Sequence, residues 1–250
     1  MRKTIVTFVL LLLLFTTAAV CAQTWGAFIN PEFSPEFIAE QERMIANADQ
    51  TFTRLLYRET FDIAAKPTPV KPEIGYYLAQ RNNKLGRKEI TLAAYEPLMS
   101  NKEWGTNFFT LTGSYENFYV GMDVRMLERS DTGDDYFWIR YTNEELVGEA
   151  RSAGAEIAFP IAVRRFEGGL STRSYTNYCD LSEYANDYRL NRIEIARLNG
   201  FASVFINGKF ITGFEDGLSG RFYQVFGAGL GPGQGYVTAE FDNFVLRTTW

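Results

Sequence analysis

NRIEIARLNGFASVFINGKFITGFEDGLSGRFYQVFGAGLGPGQGYVTAEFDNFVLRTTW, running from Asn191 to Trp250, decides the fold. Short alternating runs are broken at Asn199-Gly200 and Asn207-Gly208. They then pass through a Gly-rich stretch to a last strand that carries Phe241-Asp242-Asn243-Phe244. Asn-Gly between alternating apolar runs signals a tight hairpin, because both central residues of such a turn need positive φ. The stretch predicts antiparallel β architecture and is silent on chemistry.

Upstream the same period recurs. Phe118 to Leu127 alternates Phe118, Val120, Met122, Val124 and Met126 against Tyr119, Gly121, Asp123 and Arg125. Tyr136 to Thr142 sets Tyr136, Trp138 and Arg140 against Phe137, Ile139 and Tyr141. Strict period two predicts half-buried strands. Further strands are expected at Phe52–Asp62, Tyr76–Ala79, Glu89–Ala94 and Phe108–Leu111. Glu156–Arg164 reads as one more, with Pro160 marking a bulge or an edge. The polar segment Asn143–Ala153 suggests a helical turn, and Gly168 to Tyr184 a long irregular loop. About a dozen short strands predict an all-β, two-sheet antiparallel sandwich or jelly roll.

The chain opens Met1-Arg2-Lys3, continues without charge from Ile5 to Val20, and offers Val20 and Ala22 before Gln23. That is the pattern of a secretory signal peptide over 1–22. Residues 23–50 read as an arm. Ser34 is its helix N-cap, Pro35 the first helical position, and Phe37, Ile38, Gln41, Met44 and Ile45 one face. The helix either packs on its own sandwich or docks another subunit. The remaining domain spans 51–250.

Removing Arg2 and Lys3 takes the net charge from −5 to −7, a poor balance for nucleic acid or anionic membranes. Cys179 is the one cysteine beyond the signal segment, so no intrachain disulfide forms there. The thiol is expected to be buried. The chain has no histidine. Ser-His-Asp and Cys-His catalysis and ordinary zinc sites are thereby excluded, and any metal would be a hard cation such as calcium.

The order of features now matters. A strand ends Glu59-Thr60-Phe61-Asp62, and alternating central strands follow. Then come Arg192-Ile193-Glu194-Ile195, a Val204-Phe205-Ile206-Asn207-Gly208-Lys209 hairpin, a Gly-rich bend and Phe241-Asp242-Asn243-Phe244-Val245-Leu246. From Thr51 to Thr249 this resembles the concanavalin A-like lectin/glucanase jelly rolls, including laminin-G-like domains and family-16 glycoside hydrolases. The resemblance implies that the first and last strands lie side by side and that a concave sheet takes the ligand. It also implies a structural calcium near the joined ends, at Asp242 with Glu59 or Asp62. Alternatively, Asp242 only bonds neighbouring backbone at a bulge. The catalytic Glu-x-Asp-x-x-Glu of family 16 does not occur here, and retaining hydrolysis needs two carboxyls about 5–5.5 Å apart. The adjacent acids Asp134-Asp135 and Glu144-Glu145 read as solvated turn residues.

If Phe118- and Phe137-type residues fill the core, the opposite positions form a candidate binding face: Tyr119, Asp123, Arg125, Tyr136, Trp138, Arg140, Arg192 and Glu194. Aromatic rings suit the C–H faces of sugars, and Arg and Asp suit their hydroxyls. The same residues could instead lie covered, with charges paired across strands. Three functions are therefore expected in order. The first is an exported, non-catalytic module binding carbohydrate or envelope glycan. The second is an assembly subunit of an envelope complex whose protein partner docks on residues 23–50. The third is a divergent glycoside hydrolase using Glu156, Glu194 or Asp123.

Overall fold

In a computed structural model of the chain, the described residues are 27–59, 70–72, 79–82, 87–92, 105–111, 114–129, 136–143, 152–168, 174–184, 189–230 and 237–249. The signal segment, Asp62, Asp134-Asp135 and Glu144-Glu145 lie outside them.

Helices α1 (Pro35–Ala46) and α2 (Ala48–Thr51) precede the strands β1 (Arg54–Glu59), β2 (Val70–Pro72), β3 (Ala79–Asn82), β4 (Arg87–Leu92) and β5 (Gly105–Leu111). There follow β6 (Phe118–Arg129), β7 (Tyr136–Thr142), β8 (Ser152–Phe159), β9 (Ala162–Gly168) and β10 (Ser174–Asp180). The last five are β11 (Asn191–Leu198), β12 (Phe201–Ile206), β13 (Lys209–Glu215), β14 (Tyr223–Leu230) and β15 (Val237–Thr248). An eight-stranded sheet runs β13-β12-β11-β6-β15-β4-β3, with β1 also on β15. A seven-stranded sheet runs β10-β9-β8-β7-β14-β5-β2. Their strand pairs are antiparallel, and the first and last strands are neighbours, as a concanavalin A-like sandwich requires.

Both Asn-Gly turns form as read. Asn199 and Gly200 have φ of 52° and 83°, and Asn207 and Gly208 have 54° and 75°, so each hairpin uses the positive-φ pair that twists with its strands. The expected core also forms. Phe118, Val120, Met122, Val124 and Met126 meet Phe137, Ile139 and Tyr141 between the sheets.

Three local readings are corrected. Glu156–Arg164 is not one strand: β8 ends at Phe159, a turn holding Pro160 with a cis peptide bond follows, and β9 starts at Ala162. Proline has no N–H for a ladder, so the chain reverses where a bulge was expected. β8 also begins at Ser152, inside the segment expected to be a helical turn. Within the supposed loop, Ser174–Asp180 is a strand, because its polar residues still pair with β9 across an edge.

Ser34 caps α1 as expected, its hydroxyl accepting from the Phe37 amide at 3.2 Å. The arm spends its apolar side on its own sandwich. Phe28 forms a parallel bridge to Asn177 on edge strand β10. Phe37 then packs on Phe201 and Phe210, and Ile45, Ala48 and Phe52 close over Tyr119, Ala196 and Phe205. The chain thus crosses from the edge of one sheet to the outer face of the other.

A buried cation ties the sheets at one end of the core. Arg197 on β11 donates to Asp216 from Nε at 2.6 Å and from Nη2 at 3.2 Å. It also donates to the carbonyls of Glu116 and Leu218. Tyr141, from the other sheet, donates to the same Asp216 carboxylate at 2.9 Å. Removing one partner of a buried pair leaves the other charge uncompensated, at a cost of about 3–5 kcal/mol. Arg197→Ala is therefore expected to lower unfolding free energy by about that amount in urea titrations. Lys209→Ala, which removes the exposed Lys209–Glu42 pair, should stay within about 0.5 kcal/mol of the parent.

Candidate functional site

The eight residues expected on one face occupy two. Tyr119, Asp123, Arg125, Arg192 and Glu194 stand on the outer face of the eight-stranded sheet, and Tyr136, Trp138 and Arg140 on the outer face of the seven-stranded sheet. The expectation of a single shared cleft is thereby corrected. Alternation tells which side of its own sheet a residue takes, but β6 and β7, though consecutive, belong to different sheets.

The first group is a paired network partly under the arm. Tyr119 donates to Glu194 Oε1 at 2.6 Å. Arg192 donates to the Tyr119 hydroxyl at 3.1 Å, to Asp123 Oδ1 at 3.3 Å and to the Asn243 carbonyl at 2.7 Å. Asn243, at φ 49° in a bulge of β15, returns its side-chain amide to Asp123 at 2.7 Å. Gly121 makes room for this: a Cβ there would meet Arg192 Nη2 at 2.5 Å and the Tyr119 oxygen at 2.6 Å. Burial raises the Glu194 carboxyl pKa, opposed by the Tyr119 hydrogen bond and the Arg192 charge. Burial likewise raises the Tyr119 phenol, helped by Glu194. Phe52 lies against the Tyr119 ring. As the pair for a hydrolase, Glu194 and Asp123 are thus bridged by a guanidinium.

Asp242 stands opposite Asp123 in the β15–β6 register, and Glu59 opposite Phe244. Opposite Asp242 in the register, the Asp123 carboxylate and the neighbouring Asn243 carbonyl hold the Arg192 guanidinium. Among the described residues no group of three His, Cys, Asp or Glu is placed to hold a metal. Cys179 is half-buried, and burial pushes its thiol up.

The second group centres on a residue from β8. Glu156 pairs in register with Arg140 on β7 and Arg164 on β9. Its Oε2 accepts from Arg140 Nε at 2.6 Å and from Arg140 Nη2, and its Oε1 accepts from Arg164 Nε. Rings enclose the cations. Arg140 lies 4.3 Å from the Trp138 centroid and 4.7 Å from that of Phe166. Arg164 lies 4.0 Å from Tyr175 and 5.2 Å from Tyr136, and donates to the Tyr136 hydroxyl at 2.9 Å. Phe28 of the arm packs with Tyr136 and Trp138. Trp138, Arg140, Glu156 and Arg164 are all buried, whereas Tyr175 is 41% exposed.

Burial alone would raise the Glu156 carboxyl, but the Arg140 and Arg164 charges outweigh it and hold it at about 2. Burial lifts the Tyr136 phenol to about 12, against the pull of Arg164. Glu156 is therefore a fixed anion with both oxygens engaged. It positions two guanidinium groups and carries no proton to give a leaving group. Sequence reasoning missed Arg164 because Pro160 reads as a bulge within one strand, and missed Tyr175 because its strand, Ser174–Asp180, falls in a segment that reads as a loop. With Ala158 opposite Ala162 across the turn, three residues lie between the paired positions and Glu156 falls opposite Arg164.

No family model matches the chain, and no curated protein matches it. Solved structures do. A Bacillus subtilis protein of unknown function with a galectin-like fold superposes with a TM-score of 0.51 at 10% identity, covering 78% of this chain and 96% of its own. The apo Crh5 transglycosylase gives 0.51 at 11%, covering 78% and 84%. The laminarinase catalytic domain of Thermotoga maritima gives 0.50 at 11%, covering 79% and 98%. The chain has the concanavalin A-like jelly-roll fold.

A carboxyl whose folded pKa is depressed contributes stability that is full above its unfolded value, near 4.5, and is lost as pH falls towards about 2. Glu156→Gln should therefore flatten the stability–pH curve across that window. It should also be less stable than the parent at neutral pH, where two guanidinium groups lose their counter-ion. Urea midpoints measured from pH 7 down to pH 2.5 test both parts.

Proposed function

We propose that the protein is an exported, non-catalytic carbohydrate-binding module whose ligand face is the outer face of the seven-stranded sheet. One observation carries the reading. Tyr175 is a half-open aromatic ring backed by the Arg164 guanidinium, at the border of the Arg140–Glu156–Arg164 cluster. A flat ring offers apolar area to a sugar's C–H face, and guanidinium N–H groups serve its oxygens. The fold, shared with a laminarinase catalytic domain and a transglycosylase, supports a saccharide by analogy alone. The non-catalytic part rests on Glu156, whose oxygens are both occupied and whose charge is fixed. Export rests on the basic start, the uncharged Ile5–Val20 run and the small residues before Gln23. Among the described residues no helix is long and apolar enough to cross a membrane.

Thermal unfolding of the purified protein against a panel of neutral and acidic oligosaccharides tests the reading. At least one saccharide should raise the Tm, and Tyr175→Ala should abolish that rise while moving the unliganded Tm little. A panel with no response, or a response that Tyr175→Ala leaves intact, would sink the assignment to this face.

A further inference from the structure

We infer that this face takes an acidic saccharide, one bearing a carboxylate or a sulfate ester, and that Arg140 receives the acid group. The inference rests on the carbohydrate-binding reading and specifies its ligand.

The argument is one of donors and acceptors. Glu156 has two oxygens: Arg140 uses one through Nε and Nη2, and Arg164 uses the other. Both oxygens of that carboxylate are thus engaged. Arg140 is 2% exposed, and its Nη1 is buried with no hydrogen-bond partner. A guanidinium carries five N–H donors, and leaving charged donors buried without an acceptor is costly. The same protein shows what a purely structural buried arginine looks like. Arg197 donates from Nε, Nη1 and Nη2 to Asp216 and to two carbonyls. Arg140 is held as rigidly, between two rings and a carboxylate, but keeps a donor group in hand.

The surroundings favour an anion at that donor. The Trp138 and Phe166 rings hold the guanidinium in a low-dielectric setting, where attraction for an oxyanion is stronger than in water. The chain as a whole carries a net charge of −5, so an anion site here would not be a by-product of a basic composition. Arginine matches carboxylate and sulfate-type oxyanions through its fork of N–H groups, which lysine lacks. Tyr175 marks where the cluster meets solvent, so a sugar ring and its acid group are matched by neighbouring parts of one face.

Calorimetric titration of the purified protein with matched pairs tests this. One pair is trigalacturonate and its methyl ester; the other is a sulfated disaccharide and its desulfated form. The acidic member of at least one pair should bind roughly tenfold or more tightly than its neutral partner, the worth of a charged hydrogen bond. Preference in the first pair assigns a sugar carboxylate, and preference in the second a sulfate ester. Arg140→Lys keeps the charge and removes the fork, and should lose most of that preference. Equal binding of acidic and neutral partners overturns the inference but leaves the carbohydrate reading standing. A preference that survives Arg140→Lys overturns the assignment to Arg140. Absence of binding by every member removes the inference together with the reading beneath it. If Arg140→Lys does not fold, the parent comparison still decides whether an acidic saccharide is preferred.

Discussion

The Arg197–Asp216 pair is the constraint on which the sandwich depends. Arg197 belongs to one sheet and Tyr141 to the other, and both end on the same carboxylate. Apolar packing between sheets resists separation but barely resists sliding, because one buried branched chain can replace another along a strand. A charge in the core removes that freedom, since any slip would strand a cation and an anion away from water. The pair also fixes the loops at that end through the Glu116 and Leu218 carbonyls. Once sheet-to-sheet register is set, the pairing of β7, β8 and β9 places Glu156 between its two arginines without further adjustment.

The arm makes the two outer faces unequal. From α1 through Phe52 it covers part of the eight-stranded sheet, with Phe52 against Tyr119. The polar groups beside it, Arg192, Asp123, Glu194 and Asn243, satisfy one another. On the seven-stranded sheet the arm contributes Phe28, packed with Tyr136 and Trp138. The arm therefore acts as a clasp within the chain, with Phe28 on edge strand β10 and its helix on β12 and β13.

Much of this was legible in the sequence. The period-two runs at 118–126 and 136–141 named the core on both sides, and two Asn-Gly pairs located two hairpins, because these signals depend on residues close in sequence. What failed depended on pairing at a distance. Tyr119 and Trp138 each alternate correctly, yet alternation cannot say that their strands part company into different sheets. The polar strand Ser174–Asp180 carries no apolar rhythm, since it is an edge strand with exposed residues at its start. Pro160 was informative but ambiguous: a turn there folds β9 back beside β8, and the register that sets Glu156 opposite Arg164 depends on the length of that turn.

The two buried guanidinium clusters separate structure from function better than the fold does. This fold hosts chemistries that its backbone does not determine, so the distinction has to come from how each charge is satisfied. At Arg197 each nitrogen meets an acceptor and a full carboxylate, as expected where the cost of burying charge must be offset completely. At Arg140 the shared Glu156 carboxylate takes Nε and Nη2, and the rest of the guanidinium faces aromatic rings, which attract a cation but accept no directional bond from an in-plane N–H. Such an arrangement holds a guanidinium in place while leaving its capacity for a stronger oxygen acceptor intact. Glu156 then matters as the group that prevents two like charges from driving β7 and β9 apart, and the two guanidinium charges that depress its pKa keep it ionised at neutral pH.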